Sequence, residues 1–142
     1  MNLALLAVVG SVCLIVALIQ AWLIIAVIAG EDGPMNKLIP NAKELIRSHI
    51  DYLMMAQFLF VFYGLFRLMQ LSPSIWIVVA MCAGSFFNPF GFFVRALRPS
   101  YIKSPPSVFT AFMTTSCIAT TVGYALAAWM VAHAALAAAG GP

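Results

Sequence analysis

Four long apolar runs constrain this chain more than any other feature. They span residues 3–29, 50–69, 75–97 and 108–138. Each reaches or exceeds the ~20 residues that cross ~30 Å of hydrocarbon at ~1.5 Å per residue. A helix is the form expected of each, because an open strand in lipid leaves its backbone N–H and C=O groups unpaired. Composition agrees. The 142 residues are 64% hydrophobic and only 8% charged, against about 25% charged in soluble domains. So little polar surface cannot cover so much apolar side chain in water. The expected fold is therefore all-α: one domain, residues 1–142, forming an integral membrane four-helix transmembrane bundle in a lipid bilayer. The first run lacks a basic leader, and its apolar stretch is much longer than a signal peptide's ~7–15 residues. It reads as a retained span.

The connections carry the breakers. Gly33, Pro34 and Pro40 interrupt the long first loop. Beyond them Asn41 can cap a short interfacial helix over residues 42–47 that runs into the second span. The second connection is a tight turn around residues 71–74. In the third, Pro99, Pro105 and Pro106 forbid a continuous helix. The tail, Ala139 followed by Gly140, Gly141 and Pro142, is expected to fray. Lys37, Lys43, Arg47, Arg95, Arg98 and Lys103 lie in or beside the first and third loops, and only Arg67 lies near the other side. This bias predicts a multi-pass protein of an inner, cytoplasmic-type membrane, with loops 30–49 and 98–107 cytoplasmic and both termini outside.

Several chemistries are excluded or disfavoured. The net charge of +3 sits in loops and forms no basic stripe, so no nucleic-acid partner is expected. Cys13, Cys82 and Cys117 fall in three different runs without ligand spacing, and read as small packing residues. No phosphate loop, carboxylate pair within one span or His-x-x-x-His is present. Two histidines per chain cannot make a three-His site.

Polar residues at membrane depth are costly and so informative. Arg47 and Asp51, four apart, can pair on one helix face. His49 points roughly 160° away from each at about 100° per residue, on a face that continues through Leu53, Ala56, Phe60 and Tyr63. A neutral imidazole in an apolar groove is a reasonable haem iron ligand. An interfacial His bonded to a neighbouring helix is the alternative. In the third run Pro89 predicts a kink near Ser85. Asn88 beside it should face the bundle, bonding a neighbour or a ligand. Arg95 can snorkel to the interface or reach a carboxylate. The fourth run carries Thr110, Thr114, Thr115, Ser116, Thr120, Thr121 and Tyr124. Ala119 and Gly123, four apart, suit close helix packing or an oligomer contact. His133, at the opposite membrane face from His49, reads as interfacial.

The string Ser48-His49-Ile50-Asp51-Tyr52-Leu53-Met54-Met55, with Arg47 before it and Phe87-Asn88 in the third run, resembles the small four-helix membrane isomerases, styrene oxide isomerase and hydroxylaminobenzene mutase. Chain length, four spans and a long first loop also agree, while the specific motifs amount to about ten residues. The resemblance implies a haem b held by His49 as proximal ligand, a homo-oligomer (a trimer), and an intramolecular, haem-dependent isomerisation in which iron acts as a Lewis acid on a small apolar substrate. Two departures stand out. Met55 replaces a family Asn, and Phe92 falls where the family has an active-site Tyr. Both lost groups can hold a substrate oxygen, so Asn88, Tyr52 or Tyr101 would have to supply that role. A non-catalytic subunit packed in a larger membrane complex suits the sequence as an alternative. A cytochrome-like membrane anchor is a third reading, less natural with one candidate ligand per chain.

Overall fold

The computed structural model describes residues 2–30 and 33–139. The tail after Ala139, expected to fray, lies outside them. Among the described residues there are six helices and no strand: α1 (Asn2–Ala29), α2 (Pro34–Leu38), α3 (Ala42–Leu68), α4 (Ile75–Leu97), α5 (Ser100–Lys103) and α6 (Ser107–Ala139). Four of them, α1, α3, α4 and α6, are long and apolar enough to cross a membrane. The protein is an all-α, multi-pass membrane protein.

The second span begins at Ala42, so the apolar run from residue 50 and the interfacial helix expected to lead into it are one helix. The Asn41 side chain accepts from the Glu44 N–H (3.3 Å), satisfying one of the first-turn donors. Nothing between residues 42 and 50 breaks a helix. The charges there end the apolar run but leave the backbone ladder intact. Arg47 turns back to Glu44 (2.7 Å) and does not pair with Asp51. His49 therefore sits two turns inside a helix.

At its far end α3 closes on a left-handed residue, Gln70 (φ 53°). The Leu71 N–H returns to the Phe66 carbonyl at 2.9 Å, the bond that closes a Schellman turn. The chain then re-enters the membrane at Ile75. In the third connection Pro99 sits before α5, and Pro105 and Pro106 separate α5 from α6.

Helices α1, α3 and α4 pack against one another as a trio, whereas α6 lies outside it, chiefly on α4. The apolar window of α6 is accordingly the least buried of the four, 11% against 39% for α4. Leu6, Cys13, Ala17, Tyr52, Ala56, Leu59, Phe66, Val78 and Met81 form the core of the trio and its contact with α6. A smaller cluster of Val27, Ile39, Leu45 and Ala96 closes the loop end.

Candidate functional site

Proline at position 89 makes α4 the natural place for polar chemistry. Pro89 has no N–H, so the carbonyl of Ser85 one turn earlier lacks its helical donor. Yet α4 runs unbroken through it. Three side chains from the neighbouring helices meet this stretch of backbone. The Cys13 thiol of α1 approaches the Ser85 carbonyl (3.9 Å), the Tyr52 hydroxyl of α3 donates to the Phe86 carbonyl (3.0 Å), and the Ser48 hydroxyl donates to the Pro89 carbonyl (3.0 Å). Ser48 and Tyr52 are four apart, hence on one face of α3. The Ser85 side chain turns the other way, to the Tyr124 hydroxyl of α6 (2.7 Å).

Ser48 also receives the Gln20 Nε2 group of α1 at 2.9 Å. This fixes the Gln20 amide. The single Ser48 proton goes to Pro89, so Ser48 can only accept from Gln20, and the amide nitrogen must face it. The Gln20 oxygen then points elsewhere. It is buried and has no hydrogen-bond partner. Gln20, Tyr52, Val16, Ile19, Leu23, Phe86, Phe90 and Phe93 line a recess of about 190 Å³ among α1, α3 and α4.

His49 lies next to Ser48 on α3 but faces α1. Its Nδ1 is 2.9 Å from the Ala17 carbonyl. A carbonyl only accepts, so Nδ1 carries a proton, and Nε2 is the ring nitrogen not engaged in this bond. Asn88 faces α6, where the Cys117 thiol donates to its Oδ1 (3.2 Å). The Arg95 guanidinium lies over the rings of Phe92 and Phe109, 5.7 and 5.8 Å from their centroids. Its Nε is buried without a partner. Tyr101 packs on Phe109 (5.2 Å between centroids). Met55 lines a separate recess beside Phe58, Phe62 and Tyr124. His133 stacks near Trp129.

The residues singled out from sequence thus fall on different interfaces of one chain. His49 is between α3 and α1, Tyr52 between α3 and α4, and Asn88 between α4 and α6. Tyr52 shares its recess with none of His49, Asn88 or Arg95. The polar chain that sequence reasoning missed is Gln20–Ser48–Pro89. Its signal was present: Gln20 interrupts the most apolar run in the chain, where a polar side chain needs a partner or a purpose.

Among the described residues no three His, Cys, Asp or Glu side chains converge as a metal site. That bears on ions held by protein alone, not on a haem, whose macrocycle supplies four iron ligands. No family model matches the chain, and neither does any curated protein or solved structure. Fold and site define a class, a multi-pass helical membrane protein with a buried polar chain beneath one mouth of its bundle.

Proposed function

We propose that this chain is a haem-binding membrane protein of the isomerase and mutase type that its second and third spans resemble, acting on a small apolar substrate that arrives through lipid. The observation that carries the reading is the His49 Nδ1 contact with Ala17, which is equally the bond to a neighbouring helix that the interfacial alternative called for. Metal-ligating histidines characteristically donate the other ring N–H to a carbonyl or carboxylate, which fixes the tautomer and orients the ring. His49 meets that requirement with no ligand present. Leu45 and Leu53, one turn to either side of it, are apolar. The residues therefore fit an axial imidazole. Haem iron, when bound, supplies a Lewis acid toward an oxygen atom.

Arg95 is in keeping with the same reading, as a guanidinium near the loop end of α4 of the kind that pairs with a carboxylate such as a haem propionate. Within one chain Arg95 faces α6 and His49 faces α1. A haem held by both lies between chains, in keeping with a homo-oligomer. Haemin titrated into detergent-purified protein tests the assignment. The wild type is expected to bind with a sharp Soret shift, and His49→Ala to bind at least roughly 100-fold more weakly, more than the loss usual for a supporting residue. Equal binding by the two proteins would remove His49 from the site.

A second reading, a non-catalytic subunit of a larger membrane complex, is favoured by α6. Its outer surface is largely uncovered and it packs on little besides α4. A wild type that binds no haemin favours this reading.

The orientation belongs to the proposal as well. The Asn41 N–H donates to the Ala96 carbonyl (3.3 Å), which ties the first loop to the third. Six of the seven basic residues thus gather at one end of the bundle. We assign that end to the cytoplasm of an inner, cytoplasmic-type membrane, with both termini outside. A phosphatase fused to the C-terminus, active only when exported, is expected to be active. A cytoplasm-only fluorescent reporter that works at the same position would reverse the assignment.

A further inference from the structure

We propose that the groove where α4, α5 and α6 meet at the loop end of the bundle binds one anionic phospholipid, with its phosphate among Arg95, Arg98 and Lys103 and an acyl chain along the groove. Phe90 and Val94 of α4, Tyr101 of α5, and Phe109 and Phe112 of α6 line a space of about 400 Å³. Cations gather at its loop end. The Arg95 guanidinium lies 5.8 Å from the ring centroid of Phe109, so its charge stands against one wall of the groove. Arg98 caps α4 about one turn further on. Lys103 ends α5, just beyond Tyr101. Arg98 and Lys103 are both exposed. The site does not include His49. Arg95 borders both this groove and the proposed propionate contact, so the test below is read at Arg98 and Lys103, which the haem reading does not use.

No side chain of the elements that form the groove answers this charge. Every Asp and Glu of the chain lies before residue 52, and Glu44 is already paired with Arg47. Helices α4, α5 and α6 thus bring three cations to one mouth and no side-chain carboxylate. The first turn of α6, which forms part of the lining, has no acidic residue either, and the helix dipole there adds to the same sign. Depth selects the rest of the ligand. Phe90 lies seven residues before the end of α4 at Leu97, about 10 Å inward at ~1.5 Å per residue. The groove therefore runs from headgroup level into the acyl region, where its walls are apolar. A soluble anion would leave that length empty, and a neutral apolar molecule would leave the cations unanswered. A phospholipid with a negative headgroup meets both demands, and basic pockets between transmembrane helices are known to hold such headgroups.

The test uses phosphatidylglycerol and phosphatidylcholine with the same acyl chains, which differ in net charge alone among the properties the groove reads. Each is titrated, with no haemin added, into full-length protein stripped of lipid in mild detergent, and bound lipid is counted by native mass spectrometry. The wild type is expected to take up one phosphatidylglycerol with at least roughly 10-fold preference over phosphatidylcholine, since each Lys or Arg at a lipid headgroup contributes roughly fivefold. Replacing Arg98→Gln together with Lys103→Gln should cut that preference at least roughly fivefold. Lys37→Gln together with Lys43→Gln removes the same charge from the same end of the bundle, but from α2 and α3, and should leave the preference unchanged. Val94→Trp, which fills the groove, should weaken both lipids alike. Equal affinities in the wild type, or a preference that survives the loss of Arg98 and Lys103, would overturn the proposal. So would a preference that falls as far on losing Lys37 and Lys43, because it would then belong to the charge of the whole face.

Discussion

Replacing Gly84 with valine is expected to detach α6 from the bundle. A Cβ built at Gly84 meets the Thr120 backbone N and Cα at 2.6 Å. The contact is reciprocal along the same pair of helices, because a Cβ at Gly123 meets the Met81 N at 2.7 Å and the Ala80 carbonyl carbon at 3.1 Å. Backbone atoms in two helices cannot rotate away as a side chain can, so relief requires the helices to separate. Overpacking ordinarily costs about 1–3 kcal/mol, and a backbone neighbour puts these positions at or beyond the upper end. In lipid the loss weighs more heavily, since close approach through small residues is a main source of helix association there. Because α6 packs on little else, it has no second surface to fall back on. Gly64→Ala serves as the control, since nothing lies within 4 Å of its Cβ. It should be neutral or slightly stabilising, as alanine favours helix over glycine by up to ~1 kcal/mol. Thermal melts in detergent should separate Gly84→Val and Gly123→Leu clearly from this control. Melting temperatures like that of Gly64→Ala would show that α4 and α6 are not in close contact.

The second large effect concerns Ser48. Ser48→Ala is expected to cost about 1–2 kcal/mol, because it strands the buried Gln20 Nε2 and removes a donor from the Pro89 carbonyl. Gln20→Leu should behave differently. It deletes both the satisfied nitrogen and the bare oxygen, so it is expected to be neutral or stabilising. On the Gln20→Leu background, Ser48→Ala loses only the bond to Pro89, about 0.6 kcal/mol by the average for membrane proteins. The cycle therefore predicts strong coupling between the two positions. Chemical denaturation of the four proteins in mixed micelles measures it. Additive effects would break the Gln20–Ser48 link.

These two pairs show how far the sequence could be read. The four spans, the Asn41 cap and the proline-broken third connection follow from local chemistry, and all three stand in the structure. Gly123 was legible as a packing residue from its four-residue spacing to Ala119, but its partner Gly84 was not. Which glycine lies beneath which backbone depends on how α4 and α6 cross, and no local pattern encodes that. The apolar run of α3 starts eight residues after the helix does, because Lys43, Glu44 and Arg47 end hydrophobicity without ending the backbone ladder, and it is the Asn41 cap that marks the true start. His49 was legible as a polar residue with a task, but its partner, a backbone carbonyl on α1, carries no sequence signal at all. Gln20 and Ser48 could have been found by asking where an amide in an apolar run places its hydrogen bonds. Asn88 was legible as facing the bundle, and Tyr52 only as a polar group that could serve a substrate; the structure turns Asn88 to α6 and Tyr52 to α4. That they face different neighbours is again a matter of helix arrangement.

The central claim is that His49 is an iron ligand held ready by Ala17. The visible spectrum of protein purified in mild detergent, from cells with ample iron, tests it most directly. The account predicts a Soret band in the wild type that vanishes in His49→Ala, with a five-coordinate signature that leaves one iron position open to substrate. A colourless wild type, or a Soret band unchanged in His49→Ala, would contradict it.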